Sequence, residues 1–257
     1  MKAKELLSKY NYPSILLYGP AGTGKTALAS QATNSYMFEF DNGMRTAALL
    51  QDKFTPLRHE CEFDTYLDEN PTAPKAWLKA SAKILELSSL SAKGQLPYDC
   101  IIIDSLTGLV KCMQLQVMAM AGGVFKKPQI QHWGDMINEV EKTLTILRSI
   151  KCLLIVTAHE MSFQIDGANK IRPLSVTEKH SMNKLAWLFD EVLHTRLAPA
   201  GMNKHKYMIS GVSTTSILAR TRSSMTEDID VSAEGLAGVL NKIGYVKEKG
   251  VKNVQDV

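Results

Sequence analysis

Short, continuously apolar runs alternate along this chain with segments whose apolar residues recur at every third or fourth position. Ile15, Leu16, Leu17 and Tyr18 form the first run. "YMFEFDNG" holds the second, read as a strand ending at Asp41 and stopped by Asn42-Gly43. "YDCIIIDSLTGL" is continuous and β-branched, with Asp104 at its carboxyl end, and "CLLIVTAHE" ends at His159. Between them Trp77, Ala80, Ile84 and Leu85 recur at helical spacing. Trp133, Met136, Ile137, Val140, Leu144 and Leu147 trace an amphipathic helix of about five turns. Strand and helix signals in alternation predict an α/β fold, a mostly parallel central sheet flanked by crossover helices.

The pattern changes toward the C-terminus. "EVLHTRL" and "KHKYMIS" flank the turn Pro199-Ala200-Gly201 and predict an antiparallel hairpin extension. "SILARTR" reads as a last strand and Ala233 to Ile243 as a short helix. Two stretches read as irregular. Residues 51–75 carry an acidic cluster (Glu60, Glu62, Asp64, Asp68, Glu69) with Pro71 and Pro74, and residues 160–180 form a long polar connection. Loops of that length in compact domains are functional or disordered. The expected organisation is an α/β core over 1–225, opened by a helix within 1–11, and a helical tail over 226–257.

Composition narrows this picture modestly. At 257 residues and 45% hydrophobic, the chain suits one domain with elaborations. Cys61, Cys100, Cys112 and Cys152 show no C-x-x-C spacing, which favours thiols in a reducing compartment over metal or disulfide. No apolar run approaches the ~20 residues needed to span a bilayer, and the N-terminus has no signal-peptide core, so a cytoplasmic protein without membrane contact is expected. The net charge of +4 is unevenly placed: residues 159–222 hold nine Lys/Arg against five Asp/Glu. That segment suits either a polyanion partner or a solvated face.

The chemistry starts at "GPAGTGKTA", where G-x-x-x-x-G-K-[S/T] is filled by Gly19, Gly24, Lys25 and Thr26. A strand precedes it and a helix-compatible stretch follows, the context that a phosphate loop requires. The loop Gly19, Pro20, Ala21, Gly22, Thr23, Gly24, Lys25, Thr26 and Ala27 is expected to cradle the phosphates of ATP with its backbone N–H groups, Pro20 having none to offer. Lys25 would reach the β and γ oxygens, and the Thr26 hydroxyl would face Mg²⁺.

A second acid should complete the Mg²⁺ shell. Asp104 fits, although an acid at a strand end can also cap the next helix, a job that Ser105 could share. No acid follows Asp104, so the group that activates water must come from elsewhere. Asp41 is the candidate, with Glu39 the alternative if the strand ends earlier.

"GPAGTGKT", "IIIDSLTGL", "VTAHE" and "LARTR", in this order, resemble the RecA-like recombinase core, closest to short phage-encoded versions that act in single-strand annealing. The likeness runs from about Tyr12 to Met225. It implies that His159 senses the γ-phosphate, and that Arg220 and Arg222 reach a neighbouring subunit's phosphate from one face of a strand. It also implies that the connections at 122–132 and 160–180 face DNA. The first holds Phe125, Lys126 and Lys127, either a stacking platform beside cations or a turn with Phe125 docked on the core. The second holds Lys170, Arg172, Lys179 and His180.

The implied activity is ATP hydrolysis coupled to single-stranded DNA binding and homo-oligomer formation (ring or filament) in recombination or repair. The implied setting is a host bacterial cytoplasm, with a single-strand-binding protein as a further partner. Two departures stand out. The recombinases usually have Glu where Asp41 stands, and a core without the oligomerisation segment that full-length relatives carry before it is expected, with a helix in residues 1–11 (Leu6, Leu7, Tyr10) as the candidate replacement. A helicase loader or other remodelling ATPase is the alternative, but it normally has Asp-Glu at Asp104-Ser105 and a helical lid. A small-molecule kinase would want an arginine-rich lid, which residues 160–180 do not supply.

Overall fold

The computed structural model describes residues 12–45, 61–165, 167–177, 185–202, 204–223 and 225–245. In chain order the strands are β1 (Ser14–Gly19), β2 (Ser35–Glu39), β3 (Cys61–Thr65), β4 (Cys100–Asp104), β5 (Leu153–Ile165), β6 (Ala168–Pro173), β7 (Glu191–Pro199), β8 (His205–Ser210) and β9 (Ile229–Asp230). The helices are α1 (Lys25–Ala29), α2 (Ala76–Ala92), α3 (Leu106–Met120), α4 (Ile130–Ser149) and α5 (Val231–Lys242), with a 3₁₀ turn at Leu185–Leu188.

The apolar runs become the centre of one sheet, ordered β3-β2-β4-β5-β1-β7-β8-β9, with β6 paired to β5. From β3 to β7 neighbouring strands are parallel; β8 and β9 are antiparallel additions. Strands β1, β2 and β4 are buried along their whole length, as expected for a sheet covered on both faces. Period-two alternation assigns the layers. Leu16 and Tyr18 pack with Trp77, Ile84, Met113, Val140 and Leu144 of α2, α3 and α4. Ile15 and Leu17 pack with Leu28 of α1 and with Leu236 and Val239 of α5.

The α/β fold, the parallel sheet and the C-terminal antiparallel hairpin therefore match the sequence reading. Several local expectations do not. β2 stops at Glu39 rather than Asp41, although the Phe40 N–H still bonds the Asp104 carbonyl at 2.7 Å. The stretch read as irregular contains β3, an edge strand whose side chains are mostly exposed, so it lacks the apolar signature of an inner strand. The "polar connection" after His159 holds an antiparallel pair: β5 continues to Ile165 and pairs with β6, with Ile165 opposite Ala168. Asp166-Gly167 in the sequence is a recognised two-residue hairpin signal.

"SILARTR" forms no strand, only isolated bridges at Ile217 and Arg220. Hydroxyls take up its backbone groups: Ser213 bonds both N–H and C=O of Ala219, and Thr214 accepts from Ser216 and Ile217. Such local bonds compete with a ladder. Beyond Met225, β9 joins the sheet and α5 fills the second layer. The helix expected within 1–11 lies outside the described residues.

Candidate nucleotide-binding site

The parallel strands direct their carboxyl ends to one edge of the sheet, where ligands of open α/β folds bind. Gly19 lies opposite His159, and Glu39 opposite Asp104. Gly24 caps α1 with φ +79, a left-handed conformation that suits glycine and turns the chain into the helix. Behind the loop, the Thr23 and Thr195 hydroxyls are 2.7 Å apart, and Thr23 also donates to the Pro20 carbonyl. These bonds fix the loop to β7.

Lys25 is buried and its Nζ donates to the Gly19 and Pro20 carbonyls at 2.9 and 2.7 Å. Burial pushes its pKa down, while the carboxylates of Asp104, Glu160 and Asp41 pull it back up. Thr26 donates from Oγ1 to Asp104 at 2.8 Å, and Thr157 donates to the other carboxylate oxygen. Asp104 is 3% exposed, and burial raises its pKa against the hydroxyl bonds from Thr157 and Thr26.

A Cβ on Gly43 would come within 3.1 Å of both the Asp104 carboxylate and the Thr26 hydroxyl, so that glycine keeps the space beside them open. Two hard oxygen donors beside such a space fit Mg²⁺. The Asp104–Ser105 peptide is cis. Ser105 itself caps α3, accepting from Gly108 N–H at 3.1 Å.

Asp41 and Glu39 have different surroundings. Glu39 is 2% exposed, with Oε1 accepting from the Met44 N–H at 2.7 Å and Oε2 from the Thr65 hydroxyl at 2.5 Å. Both of its oxygens tie β2 to its neighbours. Asp41 accepts a hydrogen bond from Ser105, and its Oδ2 lies 3.7 Å from Nε2 of His159. Burial works to raise the Asp41 pKa, but His159 and Ser105 outweigh it and hold the carboxyl below the ordinary range. Gly108 makes this possible, since a Cβ there would collide with Asp41 and Phe40.

The two arginines are not at this edge. Asp190 accepts from both the N–H and the hydroxyl of Ser14, the first residue of β1, and from Arg222 at 2.8 Å. The six residues of β1 separate that point from Gly19, roughly 16 Å at strand rise. Arg220 turns instead to the Ala186 carbonyl at 3.2 Å. The expectation that both reach outward from one strand face is corrected: they lie on no strand, and each arginine has its own intrachain partner.

Of the proposed DNA-facing residues, Phe125 is 87% exposed and Lys126 and Lys127 are exposed beside it, which removes the docked alternative. Lys170 and Arg172 are engaged, bonding the carbonyls of Thr215 at 2.6 Å and Ser216 at 2.9 Å. Lys179 and His180 lie outside the described residues. Sequence reasoning missed Glu160 and His194, paired at 2.8 Å. The available signals were an acid just past a buried run and a lone histidine inside an apolar one. Cys100, Cys112 and Cys152 are buried free thiols. Among the described residues no helix is long and apolar enough to cross a membrane.

A family model described as an AAA domain matches residues 11–223. No curated protein matches the chain.

Proposed function

Because the chain belongs to the AAA-domain family of P-loop ATPases, we propose that it is a RecA-like recombination ATPase that binds single-stranded DNA and promotes annealing or strand pairing, in a phage-encoded setting. Lys25 exchanges its two carbonyl partners for the β and γ oxygens of ATP, a charge-assisted contact in place of neutral ones. Thr26 and Asp104 are the residues that would hold Mg²⁺, which supplies charge neutralisation at the phosphate oxygens. Asp41 orients the attacking water, and His159, within ion-pair reach of it, registers the γ-phosphate.

The observation that most supports DNA as the partner is the turn after α3. Phe125 is 87% exposed, with the exposed Lys126 and Lys127 directly after it. An aromatic face held in solvent beside cations suits base stacking with backbone tracking. A helicase loader fits less well, because Ser105 stands where its acid would be and strands β7 and β8 follow residue 190 where its helical lid would begin.

The test is binding of labelled single- and double-stranded DNA in ATP, ADP and no nucleotide. Preference for the single strand with ATP is expected. Equal binding in all three states would overturn the proposal.

A further inference from the structure

The phosphate loop has two flanks. Asp104 on β4 and His159 on β5 lie to one side of β1 in the sheet, and β7 and β8 lie to the other. On that second side a cleft adjoins the loop. Gly24, Ala27 and Leu28 line it from the loop and α1, and Tyr207, Val231 and Ser232 line it from β8 and α5. None of the described residues around it is charged. A Cβ on Gly24 would lie 3.3 and 3.4 Å from two ring carbons of Tyr207, so that ring rests on the loop next to Lys25.

Polar bonds tie the outer wall of the cleft in place. The Tyr207 N–H donates to the Ser232 hydroxyl at 2.8 Å, and Lys206 pairs with Asp230 at 2.9 Å. The Leu236 N–H donates to Oε1 of Gln31, just past α1, at 2.7 Å. Gly235 makes room for that bond. Its φ of +58 breaks the regular turn of α5, and a Cβ there would fall 2.4 Å from the same Gln31 oxygen. The wall therefore depends on a C-terminal segment that lies beyond residue 223, where the family match ends.

Resting on the nucleotide reading above, we infer that this cleft takes the nucleoside of the bound nucleotide and that Tyr207 positions its base. Thr26 and Asp104, bonded at 2.8 Å, set the γ end of a triphosphate on the β4–β5 flank. The nucleoside then lies at the far end of the phosphate row, and the cleft is the uncharged hollow that adjoins the loop away from those groups. Apolar walls with an aromatic side chain at the rim suit a flat heterocycle, whose π-face stacks whatever its identity. The free volume is about 40 Å³, room for water and too little for a base. A base therefore enters by lifting the Tyr207 ring off Gly24 and stacking on it. A phosphate chain without a nucleoside makes neither contact.

The test titrates wild type, Tyr207→Ala, Tyr207→Phe and Val231→Phe with Mg-ATP and with inorganic tripolyphosphate by calorimetry, after a thermal melt of each protein. Wild type should bind ATP more tightly than tripolyphosphate. Tyr207→Ala should weaken ATP binding by about fivefold or more and move tripolyphosphate affinity less than about twofold, and Tyr207→Phe should restore the wild-type ratio. Val231→Phe fills the cleft with Tyr207 in place and should weaken ATP binding alone, so it carries the test if Tyr207→Ala fails to fold. A wild type that binds neither ligand would overturn the nucleotide reading itself. Equal loss of both ligands in Tyr207→Ala, or an ATP affinity that Val231→Phe leaves unmoved, overturns this inference alone. A Tyr207→Phe protein that behaves like Tyr207→Ala overturns stacking as the means.

Discussion

Replacing Glu39 by Gln and, separately, Asp41 by Asn should give opposite phenotypes. Glu39 is buried and receives two donors, the Met44 N–H and the Thr65 hydroxyl. A Gln side chain keeps one acceptor but turns an NH₂ toward the second donor. The loss is at least one hydrogen bond to a charged group, about 1.5–3 kcal/mol. For a chain of this size that corresponds to a fall of roughly 3–12 °C in Tm.

Asp41 is about one-third exposed, and its Asn variant still accepts from Ser105. Its stability change should stay within ~1 kcal/mol. Its hydrolysis should nevertheless fall by about 10²–10⁴-fold, the usual range for losing a positioned acid–base group, with ATP still bound. Thermal melts, nucleotide titration and phosphate release separate the two outcomes. A Glu39→Gln protein that melts normally and hydrolyses slowly, beside an Asp41→Asn protein with normal turnover, would refute the assignment.

Lys25→Ala should leave the protein folded while weakening nucleotide binding by ~1.5–3 kcal/mol, read by calorimetry; unchanged affinity would move the site elsewhere. Phe125→Ala should cost no stability, because the ring is exposed, but should weaken single-strand binding by ~1–3 kcal/mol in a fluorescence titration. Arg222→Ala breaks a half-exposed ion pair with Asp190 and should change stability by under ~1 kcal/mol, yet abolish ATP-dependent assembly in sedimentation; normal assembly would remove Arg222 from the interface.

Burial raises the Asp104 pKa, and Mg²⁺ needs the ionised form. Mg²⁺-dependent nucleotide binding should therefore weaken as pH falls through a value above the ordinary aspartate range, a dependence that Asp104→Asn should remove. In the free protein the sign is opposite. A raised folded pKa means that this carboxyl supports the fold at low pH and loses that contribution as pH rises through the folded value.

The parts of this molecule that follow local rules could be read from its sequence. Four apolar runs bounded by turn signals became β1, β2, β4 and the first half of β5, and the 3.6-residue period of Trp133 to Leu147 became α4. Thr26 and Asp104 were legible as a pair because each belongs to a motif whose context dictates its neighbour. β3 was not, since an exposed edge strand has no apolar period to detect. That Met44 and Thr65 occupy the Glu39 carboxylate, while Asp41 meets Ser105 and His159, is a matter of folded contacts that no spacing reveals. The Glu160–His194 pair joins residues 34 positions apart, and the Arg222–Asp190 pair depends on a turn whose hydroxyls displaced the expected strand.

The placement of Arg222 at one end of β1 and the phosphate loop at the other gives the chain a polarity. Under the assembly that the recombinase resemblance implies, in which the arginine completes a neighbour's site, the contact would join unlike surfaces and could not close as a two-fold pair. Copies would add head to tail, and each open array would carry one complete site fewer than its number of chains, while a closed ring would waste none. Activity per chain should consequently climb with array length in a filament and stay level in a ring, so that a dilution series of turnover distinguishes the two geometries without an image of either.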